Sequence, residues 1–205
     1  ANASQTVVAT GAQIRADATD HGDGGTAVVW ADGATRFGGF ISARGGASGG
    51  NGGLAEVSGK QYLDFQGTAD LSAPLGSAGT LLLDPDTLRI NNTADLNGDS
   101  SPGDDVTVSP TVVGITGYGS QIKAATVSSL LNSANLSLSA SGDIFVESPI
   151  TKTSVTALPV TTTLSLTSTS GSVHIDAPIS YTGDPLNVSL TGQAGVVQTA
   201  PGLIT

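Results

Sequence analysis

Hydrophobic and polar residues alternate in short runs along most of this chain, and the runs recur. Gly25-Thr-Ala-Val-Val-Trp30 aligns with Gly53-Leu-Ala-Glu-Val-Ser58 and with Gly79-Thr-Leu-Leu-Leu-Asp84, at offsets of 28 and 26 residues. Between these anchors, Phe37-x-Gly39-x-Ile41-x-Ala43 is answered by Phe65-x-x-x-Ala69-x-Leu71-x-Ala73. Alternation marks half-buried strands, and a repeat of this length built from short strands and Gly-rich turns marks a solenoid. The alignment also assigns faces. Ala27, Ala55 and Leu81 share one parity with Val29, Val57 and Leu83, and are expected inside. Val28, Glu56 and Leu82 share the other with Trp30, Ser58 and Asp84. An unpaired Glu56 or Asp84 would be costly in an apolar interior, so that face is expected outside, and Trp30 with it.

The pattern continues on both sides of this block. Ala1–Gly24 reads as the last part of a preceding coil: Thr6–Thr10 is one run, and Ile14 and Ala16 share a parity in the next. It ends in the polar turn Asp17–Asp23. After Leu88-x-Ile90 the alternation stops, and Asn91–Asp105 is polar, acidic and turn-rich, a loop leaving the coil. Val106–Val113 resumes strand character. Ile122–Asn135 holds the one plausible helix, with Val127, Leu130 and Leu131 spaced i, i+3, i+4, a single turn or two packed on the side of a coil or over one. A second repeat set occupies the C-terminal third. Asn135-Leu-Ser-Leu138, Thr163-Leu-Ser-Leu166 and Asn187-Val-Ser-Leu190 open three units at offsets of 28 and 24 residues, each reaching a corner at Pro149, Pro178 or Pro201. Pro lacks an N–H and suits a break between ladders.

The predicted fold is all-β: a right-handed parallel β-helix (β-solenoid) of roughly eight coils, with one loop insertion and one short helix. It is read as a single domain over 1–205, with strong repeat coils at 1–90, the loop and helix at 91–134, and C-terminal coils at 135–205.

Composition narrows the function. The 205 residues suffice for a substantial core. There is no Cys, hence no disulfide framework and no thiolate chemistry. The absence of Met is expected of a chain that starts inside a longer precursor. No run approaches the ~20 apolar residues that span a bilayer, so no membrane insertion is expected. The net charge is −10 and the seven bases are scattered, which argues against nucleic acid as a partner. Charged residues are only 12%, but 38% hydrophobic residues in period-2 runs provide apolar surface to bury, so disorder is the weaker reading.

Few residues carry candidate chemistry. The Gly-rich run Gly45–Gly53 lacks the spacing of a phosphate-binding loop, since Gly59-Lys60 is followed by Gln61; it reads as a flexible inter-strand turn. Asp95, Asn97, Asp99, Asp104 and Asp105 set oxygen ligands in one loop, as calcium sites do. The Gly and Glu of an EF-hand are missing, Ser100 and Val106 standing in those places. No cofactor is required; calcium is the candidate ligand, and a solvated acidic loop is the plainer reading. His174-x-Asp176 lies on one face of a strand, half of an acid–base pair without an identifiable partner. His21 sits among Asp17, Asp20 and Asp23, where a metal is conceivable and a solvated turn is the plainer reading. Trp30 and Glu56 are the nearest to a ligand surface, because an outward ring can stack on a sugar, although packing of Trp30 beneath Phe40 or a crossing loop is the plainer reading.

Gly24-Gly-Thr-Ala-Val-Val-Trp-Ala-Asp32, Ile41-Ser-Ala-Arg-Gly-Gly46, Gly52-Gly-Leu-Ala-Glu-Val-Ser-Gly-Lys60, Leu71-Ser-Ala-Pro74 and Gly79-Thr-Leu-Leu-Leu-Asp-Pro85 together resemble the filamentous haemagglutinin-like exoproteins of bacterial two-partner secretion. The resemblance covers about Gly24–Ile90, and more loosely Ile122–Asn135 with the run Asn135-Leu-Ser-Leu-Ser-Ala-Ser-Gly-Asp-Ile144. It implies a β-helical segment of a large secreted, cell-surface adhesin from a Gram-negative host. It further implies an outer-membrane transporter of the two-partner (TpsB) type as partner of the full-length precursor. The asparagine-rich motifs of that family's secretion domain do not occur here, so this segment is not expected to engage the transporter itself, and is expected to be shaft or a region near the start or end of the shaft. The expected function is non-catalytic attachment to a glycan, host receptor or biofilm-matrix polysaccharide. The alternative is a carbohydrate-active β-helix, a polysaccharide lyase or hydrolase, which needs acids and a base clustered on one outer face. Against it, 13 of the 17 acids precede Val106 and the bases are dispersed.

Overall fold

The computed structural model describes residues 2–92, 119–154, 160–199 and 201–205. The alternating runs form strands that return to the same face once per turn of the chain. One face is a six-stranded sheet of β3 (Thr26–Ala31), β6 (Leu54–Gly59), β9 (Thr80–Leu83), β12 (Asn135–Ala140), β15 (Thr162–Ser168) and β18 (Leu186–Gly192), in that spatial order. A second face is an eight-stranded sheet. Its order is β1 (Gln5–Val8), β4 (Ala34–Phe37), β7 (Tyr62–Phe65), β11 (Ser120–Lys123), β10 (Leu88–Asn91), β13 (Ile144–Val146), β16 (Ser172–Ile175) and β19 (Gly195–Gln198). The third face carries β2 (Gln13–Arg15), β5 (Phe40–Ser42) and β8 (Thr68–Asp70), then β14 (Ile150–Lys152) and β17 (Ile179–Tyr181). Between those two groups packs α1 (Ala124–Leu130). The strand pairs are parallel, so the chain is a β-solenoid.

The inner columns explain the repeat. Ala27, Ala55, Leu81, Leu136, Leu164 and Val188 are ladder partners in succession, and so are Val29, Val57, Leu83, Leu138, Leu166 and Leu190. The two repeat sets of the sequence are thus one continuous stack. Every member through Leu166 is buried, whereas Val188 and Leu190 are only partly covered in the last coil. Burying a Leu side chain contributes roughly 1.5–3 kcal/mol, and strands ~4.8 Å apart bring each one onto the next.

One expectation needs correction. The solenoid has about six turns rather than eight, because the chain that returns after β10 does not open a coil of its own. It comes back as β11, inserted into the eight-stranded sheet between β7 and β10. The short helix expected within Ile122–Asn135 forms as about two turns packed on the side of the coils. Gln121 and Ile122 are drawn into the ladder opposite Arg89 and Ile90, and only Ala124–Leu130 coils, burying Ala124, Val127 and Leu130. The run Val106–Val113 and most of the polar loop before it lie outside the described residues.

The helix stands where the third face would have had a strand. It satisfies the sheet edges on both sides, which would otherwise hold unpaired backbone groups. The Ser128 hydroxyl accepts from the Thr151 N–H of β14 at 3.0 Å and donates to the Ala124 carbonyl at 2.8 Å. On the other side Ser133 donates its hydroxyl to the Ala69 carbonyl at 3.0 Å, and its own carbonyl accepts from the Leu71 N–H at 3.3 Å. An additional strand adds ~4.8 Å to its face, and a helix ~10 Å wide in place of a strand adds about as much. The insertion therefore widens two faces alike.

Candidate functional site

On the outer side of the eight-stranded sheet the ladder sets unlike residues in a single column: Val7, Arg36, Asp64, Gln121, Arg89, Phe145, His174 and Val197. Several are the outward residue of an apolar-x-apolar strand, as in Leu88-Arg89-Ile90, Ile144-Phe145-Val146 and Val173-His174-Ile175. Arg36 places Nε 3.2 Å from Asp64 Oδ2, with only 2% of the Asp64 side chain exposed, and Gln66 donates to the same oxygen at 3.2 Å. Farther along, the Arg89 guanidinium lies 4.5 Å from the Phe145 ring centre. The His174 ring stacks on Phe145 at 4.5 Å and 12°. Cation–π and ring stacking of this kind each contribute roughly 0.5–1.5 kcal/mol.

Arg89 is ion-paired with Glu147 Oε1, and Asn91 donates its side-chain amide to Glu147 Oε2 at 3.2 Å. Arg89, Asn91, Gln121 and Glu147 line a shallow cleft of about 280 Å³. It lies where β11 meets β10. On the other side of β11 the pairing to β7 reduces to the single rung Gln121–Asp64, and the Ser120 hydroxyl substitutes for a carbonyl in accepting the Leu63 N–H at 2.9 Å. Gln121 Oε1 is buried with no hydrogen-bond partner, and so is Arg36 Nη1.

Apart from His174, no residue of this strip stands out along the chain, because its members come from separate strands far apart in sequence. The scattered bases Arg36 and Arg89 belong to one column only once the register is known. The signal in the sequence was the recurrent polar or aromatic residue between two inward apolar ones.

Trp30, singled out from sequence, lies on the outer side of the six-stranded sheet, half-buried, its indole N–H 3.4 Å from Asp32 Oδ1. Glu56 is on the same face, half-buried between Val28 and Leu82 in the ladder. Neither belongs to the strip. Ser58, expected outside, is fully buried; its ladder partner is Trp30, whose large ring stands one rung away. His174 does point outward, but against Phe145, while Asp176 uses its backbone N–H on the Val146 carbonyl at 3.0 Å. The calcium candidates Asp95, Asn97, Asp99, Asp104 and Asp105 lie outside the described residues. Among the described residues no group of three or more His, Asp or Glu is placed to hold a metal ion.

The acidic turn around His21 has a structural use. Asp17 Oδ1 accepts the Arg44 N–H at 2.8 Å, Asp20 Oδ1 the Ser48 hydroxyl at 2.6 Å, and Asp23 Oδ1 the Asn51 N–H at 2.7 Å. Each carboxylate ties its turn to the next coil. Burial pushes the Asp17 carboxyl up, but the Arg44 N–H, the Ser42 hydroxyl and the charges of Arg44 and Arg15 outweigh it and hold it below the ordinary value. The Gly45–Gly53 run stacks on this turn: Gly46 N–H donates to the Gly22 carbonyl at 2.9 Å, and the Asn51 carbonyl accepts from Gly24 N–H at 2.8 Å.

Compared with known proteins, the chain matches no protein-family model and no curated sequence.

Proposed function

We propose that this chain is a non-catalytic structural and adhesive segment of a large secreted bacterial surface adhesin, a rod that presents binding surface to host-cell or matrix glycans. The observation that carries the reading is the division of labour between faces. Inner columns run in register from Ala27 to Leu190 without a polar interruption, which suits a spacer. Outside, the same register repeats polar and aromatic side chains along one sheet, from Arg36 through Asp64, Gln121, Arg89 and Phe145 to His174. Such an array offers donors, acceptors and a ring along a line, the form in which an extended polymer is met. The family-like strings of Gly24–Ile90 supply the surface-exposed setting.

The test is a binding screen of the chain against host glycans and matrix polysaccharides, paired with attachment of coated beads to cells. Saturable binding to at least one polymer is the expected result. Failure to bind any of them, or the appearance of unsaturated products on incubation with polyuronides, would overturn the reading.

A further inference from the structure

The cleft beside β11 is lined by a residue with an unmet hydrogen bond. Gln121 is 8% exposed and its Oε1 has no partner. A buried acceptor left without a donor costs about 1–3 kcal/mol, so this oxygen favours any ligand that brings one. The walls add capacity of both kinds. Glu147 already accepts from Arg89 and Asn91, yet a carboxylate offers about four lone-pair sites and a guanidinium five N–H donors. Both residues line the cleft and have capacity beyond the bonds they already make.

Charge decides the class of ligand. Arg89 and Glu147 neutralise each other within the cleft. An anion would bring a second negative charge beside Glu147 on a chain of net charge −10, and a cation would meet Arg89. What remains is a neutral molecule carrying donors and acceptors on adjacent atoms. A vicinal diol has that form: each hydroxyl donates once and accepts through its oxygen. The volume of about 280 Å³ lies just under the usual range for ligand pockets, about 300–1,000 Å³, and so suits one sugar ring.

We propose that the cleft of Arg89, Asn91, Gln121 and Glu147 is a subsite for one neutral hexose residue. Two neighbouring hydroxyls donate to Gln121 Oε1 and to Glu147, and their oxygens accept from Arg89 and Asn91. This deepens the adhesive reading, on which it rests, by naming the place on the rod where a surface glycan is held.

The experiment titrates the whole chain with methyl glucoside, galactoside and mannoside, and with glucuronate and galacturonate, following the side-chain amide signals of Gln121 and Asn91 by NMR. At least one neutral hexoside is expected to shift both signals saturably at millimolar concentration, and neither uronate is. Gln121→Leu should fold at least as stably as the wild type, because it removes an unpartnered buried oxygen, yet lose hexoside affinity about tenfold or more. Glu56→Gln, on another face, should bind as the wild type does. Amide signals unmoved by every neutral hexoside, a uronate binding as well as a hexoside, or undiminished binding by Gln121→Leu would each overturn the subsite. The two readings separate cleanly. Polymer binding that survives in Gln121→Leu leaves the adhesive reading standing and removes the subsite. Hexoside binding in the cleft of a chain that holds no polymer and no cell keeps the subsite and removes adhesion.

Discussion

Phe37 and Phe65 stack inside the solenoid, 5.3 Å between ring centres and 7° from parallel, as ladder partners on β4 and β7. They are 0% and 2% exposed, so both rings belong to the core. Phe65→Ala would leave a ring-sized cavity and one ring without its partner, at a cost of about 3–5 kcal/mol, while Phe65→Leu should cost less. Urea denaturation of the two variants measures the difference, and equal losses would show that the stack adds nothing beyond volume.

Gly49 and Gly50 test how closely the turns are packed. Both have positive φ, +144° and +123°. A Cβ at Gly49 meets open space, whereas one at Gly50 falls on the backbone carbonyl of Gly22. Gly49→Ala therefore costs only conformational strain, roughly 1–3 kcal/mol, and Gly50→Ala adds a steric overlap that the stacked turn beneath cannot relieve. Thermal melts should rank Gly50→Ala clearly below Gly49→Ala.

Asp17 sets an acid limit on the N-terminal turns. Its folded carboxyl lies below the ordinary value of 3.8, so the native state holds its proton less readily than the unfolded one. Its contribution is fully present above that value and is lost as the pH falls through the folded one. Asp17→Asn should reduce stability at neutral pH and flatten the acid limb of the stability curve. A curve of unchanged shape would assign the acid limb to other carboxylates.

Lys152 makes the opposite kind of prediction. It is fully buried at the end of β14, its ammonium donating to the carbonyls of Val160 at 2.5 Å and Pro185 at 2.9 Å. Burial pushes its pKa down from 10.5, and the nearby Asp184 charge only partly restores it. The unfolded chain thus binds the proton more tightly, so stability should rise with pH from the lowered folded value up to 10.5. Lys152→Met should abolish that alkaline rise. Urea titrations from neutral to alkaline pH compare the slopes, and a rise that persists in the variant would exclude Lys152 as its source.

Much of this architecture was legible along the chain. The offsets of 28 and 26 residues placed Ala27, Ala55 and Leu81 on one ladder column and Val29, Val57 and Leu83 on another, and the structure pairs them so. The reason is geometric: in a parallel stack the side-chain period of two and the length per turn repeat together, so inside and outside are local properties. Ser58 escapes that rule because parity says which way a side chain points and nothing about how much of the fold covers it.

Only the tertiary structure decided the site. Local alternation in Gln121-Ile122 says that one residue faces in and one out, but not which strands flank them. β11 enters between β7 and β10, behind the strand that precedes it along the chain, and this choice sets Gln121 between Asp64 and Arg89. Lys152 is similar. Its inward position is tolerable only because the carbonyls of Val160 and Pro185, 8 and 33 residues farther along, meet its ammonium. A repeating pattern determines what each turn does by itself. Where a turn departs from the repeat, partners distant in sequence determine the chemistry, because hydrogen bonds and charges act between whichever groups the fold brings into reach.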